Sequence, residues 1–115
     1  MAGWRDRCAE AVLLAPKAEE PVAAARLHEL LLDPDNTAVS QSAAEALLQR
    51  RDLVGVRLVA EAFEDADEGT RHKLGDCLYD ERGTRWGIVR SLLDELPDQG
   101  QALREHISRA EKFHR

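Results

Sequence analysis

A chain of 115 residues, 43% hydrophobic and 33% charged, reads as one globular domain spanning 1–115, large enough to bury roughly two-thirds of its unfolded surface. Its net charge of −6 excludes a general attraction to nucleic acid or anionic membrane, which clustered Lys and Arg would have to supply. No run approaches the ~20 apolar residues of a membrane span, and the opening MAGWRDRC lacks the apolar stretch of an export signal. The expected location is therefore cytoplasmic, with Cys8 and Cys77 as free thiols on apolar stripes.

Pro, Gly and Asp divide the chain into seven helix-length segments. The first, Arg5–Ala15, sets Trp4, Cys8, Ala11, Val12 and Ala15 on one face at helical spacing. The second, Pro21–Leu32, opens with a proline in its first turn, where a missing N–H costs nothing, and carries Ala23, Leu27, Leu30 and Leu31 inward. The third, Thr37–Gln49, turns Val39, Ala43, Ala46 and Leu47 inward, with Asn36 or Thr37 as cap. The fourth, Asp52–Ala66, begins with a strand-like alternation over residues 54–58, but Val59, Ala62 and Phe63 restore the helical period and Asp52 is a good N-cap. Gly55 costs this helix about 1 kcal/mol relative to alanine.

The fifth segment, Thr70–Tyr79, buries Leu74, Cys77 and Leu78. The sixth, Thr84–Leu96, is capped by Thr84 and stopped by Pro97, with Trp86, Val89, Leu92, Leu93 and Leu96 inward. Trp86 is expected to lie between the second and third hairpins. The last, Gln101–Phe113, uses Leu103, Ile107, Ala110 and Phe113. No segment keeps a strand period, so the expected fold is all-α.

Self-comparison shows an internal period. A shift of 31 residues carries Ala43, Glu45, Ala46 and Leu47 onto Leu74, Asp76, Cys77 and Leu78; a further 29 carries Leu74, Asp76 and Leu78 onto Leu103, Glu105 and Ile107. Two helices over about 30 residues, three times over, cannot bury their apolar faces singly and must stack. The expected architecture is an α-α superhelix of about three hairpins with an N-terminal capping helix.

Residues 28–48, HELLLDPDNTAVSQSAAEALL, resemble the HEAT-type helical repeats: a Leu-rich helix, an acidic-Pro turn, then a helix opening with Val around an Ala-Ala-Glu-Ala-Leu core. Residues 54–79 follow the pattern more loosely, and the third unit more loosely still. Ala38–Val39–Ser40 and Gly69–Thr70–Arg71 stand where the family has Asp–Val–Arg. The resemblance covers Pro21 to about Ala110 and implies an interaction scaffold without catalytic residues or cofactor, since fold alone assigns no chemistry.

HEAT-like metal enzymes use recurring His-Glu pairs. Here only His28–Glu29 has that order, Glu105–His106 is reversed, and the four histidines read as helix-surface residues. Neither cysteine has a motif that lowers its pKa. Gly55, Gly75 and Gly87 mark places where helices pack closely.

The acids carry the functional expectation. Between Glu61 and Asp98 there are eleven acids against five bases. Some gather at hairpin turns: Asp33 and Asp35; Glu64, Asp65, Asp67 and Glu68; Asp94, Glu95 and Asp98. Stacking would line them along one edge. Glu45, Asp76 and Glu105 hold equivalent positions opposite the Leu stripe and would form a ladder, flanked by Gln41, His72, Asp80 and Gln101. A solvated helix face explains such acids as readily as a recognition surface does. The functional expectation is a non-enzymatic protein-binding module for a partner with a basic patch, with no nucleic acid, membrane or cofactor. Neutralisation of a basic toxin is the alternative within that class, and a metal-dependent HEAT-like enzyme the alternative outside it.

Overall fold

The computed structural model describes residues 3–78, 84–96 and 100–113, with side chains for all of these except Thr84, Trp86 and 110–113. Within them run seven α-helices: α1 (Trp4–Leu14), α2 (Pro21–Leu31), α3 (Thr37–Leu48), α4 (Leu53–Asp65), α5 (Glu68–Asp76), α6 (Thr84–Leu93) and α7 (Gln101–Phe113), with a 3-10 turn at Ala15–Lys17 after α1. No strand is present among the described residues. The expectations for Tyr79, Asp80, Trp86, Asp98, Ala110, Phe113, His114 and the Thr84 cap fall outside what the structure describes.

Helices α3, α4 and α5 each start at a local cap. The Asn36 side chain accepts the Ala38 N–H (2.8 Å), Asp52 accepts that of Gly55 (3.0 Å) and Asp67 that of Thr70 (2.7 Å), satisfying donors that the first turn of a helix leaves orphaned. Because Asp67 is the cap, α5 begins two residues earlier than its apolar pattern indicates. Helix α6 ends at Leu93, before the expected Leu96, and Arg104 of α7 donates to the carbonyls of both Leu93 and Leu96.

The helices alternate between two rows. Helices α1, α3 and α5 pack successively against one another, as do α2, α4 and α6, and the two rows meet along α2–α3, α3–α4 and α4–α5. One apolar core runs through them, with Leu27, Leu30, Leu31, Val39, Leu47, Val59, Phe63, Leu74, Leu78 and Leu103 essentially without solvent contact. The third hairpin departs from an equal repeat: α7 lies chiefly against α4. Glu64 at the end of α4 explains this, since its carboxylate accepts the Ala102 N–H at 2.8 Å and caps α7 from another helix.

The inward face of α1 is narrower than expected. Ala11 and Ala15 are buried and Cys8 half-buried, but Trp4 and Val12 are 43% and 57% exposed. Trp4 is the first residue of the helix, its ring covered only by the Arg5 guanidinium 5.2 Å from the centroid. Val12 is turned about 100° from the buried Ala11 around the helix, which leaves it in solvent.

Gly55 is where α3 and α4 come closest. A Cβ there would lie 2.2 Å from the Leu47 carbonyl oxygen, a backbone atom that cannot swing aside. Gly87, by contrast, has no neighbour within 4 Å, so its expected close-packing role is absent: it faces solvent on α6.

Gly55→Ala should therefore destabilise the protein by about 1–2 kcal/mol in urea unfolding, because overpacking costs of ~1–3 kcal/mol outweigh the ~1 kcal/mol that alanine contributes to helix propensity. Leu47→Asp and Leu78→Asp should each cost more than about 3 kcal/mol, an unpaired charge being forced into the core, while the exposed Glu45→Ala and Asp76→Ala change stability by no more than about 0.5 kcal/mol.

Candidate functional site: an acidic face and a mixed-charge cleft

Several of the acids at the hairpin turns are engaged within the fold. Asp33 has a side chain only 8% exposed and accepts the Asp35 and Asn36 N–H groups, both at 2.9 Å, and Arg7 Nε at 2.8 Å. Burial alone would raise its pKa; those donors hold it below the usual carboxylate range. Asp67 caps α5 and Glu64 caps α7. Asp65 meets His28 Nε2 at 3.0 Å, joining the ends of α2 and α4. Asp52 caps α4 and pairs with Arg50, whose hydrogen bond is the chief reason its carboxyl is held low. Asp33, Glu64, Asp65 and Asp67 thus serve helix ends and ion pairs, whereas Asp35, Glu68, Asp94 and Glu95 are exposed.

The three ladder positions are exposed, as their phase requires, and the residues aligned with the Leu stripe are buried. Glu45 and Asp76 have no ion pair or side-chain hydrogen bond among the described residues. Both act on the thiol of Cys77 at the α3–α5 seam, and Arg85, which donates to the Cys77 carbonyl at 2.8 Å, acts on it in the opposite sense. That thiol lies 3.9 Å from the Gln41 carbonyl, and burial first, then the Glu45 charge, pushes its pKa up to about 12. A thiol so protonated is no nucleophile.

Glu105 is different. It accepts from Gln101 Nε2 at 3.2 Å and lies 4.0 Å from Arg109. With Phe63, Glu68, Arg71, His72, Ala102, His106 and Arg109 it lines a cleft of about 460 Å³ between α5 and α7. The cleft mixes charge: Arg71, Arg109 and two histidines against Glu68 and Glu105. Glu45 and Asp76 thus share the surroundings of Cys77, and the third position, Glu105, belongs to the cleft.

Two cleft residues have structural duties the sequence did not disclose. Arg71 donates to the carbonyls of Phe63 (2.8 Å) and Glu64 (3.1 Å) at the C-terminus of α4 and stacks over the Phe63 ring. His106 is half-buried, which corrects its reading as a surface residue: its ring meets Phe63 edge-on at 5.3 Å and fills the space that Gly75 leaves open. The internal period could have found it, since His106 is the third-unit counterpart of Ala46 and Cys77, both partly or fully buried. Among the described residues no group of three or more His, Cys, Asp or Glu could hold a metal ion, and no helix is long and apolar enough to cross a membrane.

Comparison of the chain with protein-family models, curated proteins and solved structures yields no match.

Burial, followed by the neighbouring His72, lowers the pKa of His106. A histidine whose folded pKa lies below its unfolded value takes up protons more readily when unfolded, so the stability tied to its neutral form is present above about pH 6.5 and is lost as the pH falls through that value and then the folded pKa. The depressed pKa values of Asp33, Asp52 and Asp67 act lower, their stabilisation being lost only as the pH falls below about 4. Thermal unfolding should show Tm falling between pH 7 and 5 in the wild type and a shallower fall in His106→Gln over the same window.

Proposed function

We propose that this protein is a non-enzymatic binding module of HEAT-like stacked hairpins that recognises a basic segment of another protein through the outer face of α3 and α5. One observation carries the reading: Glu45 and Asp76 stand exposed at equivalent positions of two helices that pack together, without an ion pair among the described residues, while Asp33, Asp52, Asp65 and Asp67 cap helices or pair with bases. Exposed carboxylates that no base of the fold engages leave their charge to a cation brought by something else. The burial pattern supports the likeness to HEAT repeats, since equivalent positions of successive units share exposure: Ala43, Leu74 and Leu103 inside, Glu45, Asp76 and Glu105 outside.

The raised thiol pKa of Cys77 and the engagement of Arg71 with backbone carbonyls favour binding over catalysis, because neither group is poised for proton or group transfer. Glu45 and Asp76 are the contact residues of this reading, with Gln41 and His72 at the border.

A lysine- and arginine-rich peptide should bind the wild type and weaken with added salt, exposed charges being screened beyond about 10 Å at 0.1 M. In stopped-flow or surface-binding kinetics, Glu45→Lys combined with Asp76→Lys should slow association about tenfold or more at low salt, with an unchanged circular dichroism spectrum. Glu105→Lys should have a smaller effect because Arg109 already offsets that charge. Equal association by all three proteins at both salts would remove the site from this face.

A further inference from the structure

Every large hydrophobic side chain that is exposed among the described residues belongs to α1 or the first turn of α2: Trp4, Val12, Leu13 and Val22. Leu13 is 72% and Val22 84% exposed, in a protein that buries its other large aliphatic side chains at least partly. Solvent exposure of that degree costs the hydrophobic free energy that burial would recover, and a cluster of such residues marks an interaction site rather than the scattered apolar surface of any protein.

The most exposed of them, Val22, lines a groove of about 500 Å³ where α1, the 3-10 turn and α2 meet. Leu14, Pro21, Val22 and Ala23 form its apolar lining, and Glu10, Lys17, Glu20 and Arg26 its rim. The rim decides which partner fits. Arg26 holds Glu10 in a two-pronged ion pair, at 2.8 and 3.0 Å, so these two charges are already satisfied. Lys17 and Glu20 have no side-chain partner among the described residues. One free cation and one free anion, three residues apart beside an apolar centre, make a surface complementary to itself.

We infer that the α1–α2 groove is the contact face of a homodimer, two copies meeting about a two-fold axis with Val22 at the centre. A two-fold axis brings the same patch of both copies together. It can set Lys17 of each copy against Glu20 of the other while the apolar residues close over one another. The charge of the chain as a whole supports this choice of face. With a net charge of −6, two copies repel when acidic surfaces meet, and this rim carries two acids against two bases. A strongly basic partner would instead require an acidic rim, as on the α3–α5 face. No residue of the groove belongs to that acidic face, so the two surfaces are testable separately.

Analytical ultracentrifugation of the full chain over a wide concentration range tests the inference. The wild type should sediment as a monomer–dimer equilibrium. Val22→Glu should abolish the dimer while leaving the thermal melt at high dilution unchanged, since the substituted side chain is already in solvent. Lys17→Glu should weaken the dimer about tenfold or more by opposing like charges, and adding Glu20→Lys to it should restore much of the loss. A wild type that stays monomeric throughout overturns the proposal, and so does a dimer that Val22→Glu leaves intact. Loss of peptide binding by Glu45→Lys with Asp76→Lys would not bear on it.

Discussion

The structure depends on the contact between the backbones of α3 and α4. Gly55 sits against the Leu47 carbonyl, and the turn between the helices is built to bring it there. Arg51, with φ 56°, stops α3 by entering the left-handed region, at a cost of about 1–2 kcal/mol for a residue with a Cβ. Asp52 then caps α4 on the N–H of Gly55 itself. Arg50 locks the arrangement: it donates to both oxygens of Asp52 at 2.9–3.1 Å, to the Ala15 carbonyl at 2.7 Å and to Glu19. One guanidinium thus ties the end of α1, the start of α4 and the end of α3. Helix α4 touches α2, α3, α5, α6 and α7, so its placement on α3 sets the position of most of the chain.

The sequence disclosed what is local and periodic. Stripes at helical spacing, together with Asn36, Asp52 and the proline at the start of α2, locate the helices to within a few residues, and the period of about 30 residues puts Leu47, Leu78 and Ile107 inside. It did not disclose contacts made by long side chains across large sequence separations. Glu64 capping Ala102, Arg104 holding the end of α6, and Arg7 reaching Asp33 span 38, 11 and 26 residues, and none leaves a trace in the local pattern. Helix α1 misled for a related reason. Its stripe of Trp4, Cys8, Ala11, Val12 and Ala15 implies a face about as wide as that of the inner helices. A helix at the end of a row has a neighbour on one side of it only, so the flank of its stripe faces water.

The acids illustrate the difference between counting charges and placing them. An excess of carboxylates around hairpin turns suggests a negative edge, but a turn also concentrates unpaired N–H groups, and carboxylates are strong acceptors for these. Asp33, Asp52 and Asp67 answer that local demand and Glu64 answers it for a distant helix, so their negative charge is partly drawn into helix ends where the backbone dipole favours it. Glu45 and Asp76 lie in the last turns of α3 and α5, away from the orphaned donors of a helix start. Their charge remains available because of where they sit on α3 and α5, which composition could not reveal and the internal period could.

An acidic pair and a small apolar groove each make weak surfaces taken singly. Two carboxylates facing water supply attraction that salt readily screens, and a stable dimer ordinarily needs about 800 Å² from each partner, more than four exposed side chains contribute without the flanking helix surface. The two surfaces share no residue, and so can act together. If two copies join through α1 and α2, each dimer presents two α3–α5 faces at fixed separation. A second basic segment on the same partner would then bind at an effective concentration in the millimolar range, raising the overall affinity by ~10²–10⁴ without any new contact. On that reasoning the partner best suited to this protein carries repeated basic segments rather than one, and the weakness of each acidic face would keep single basic segments from competing.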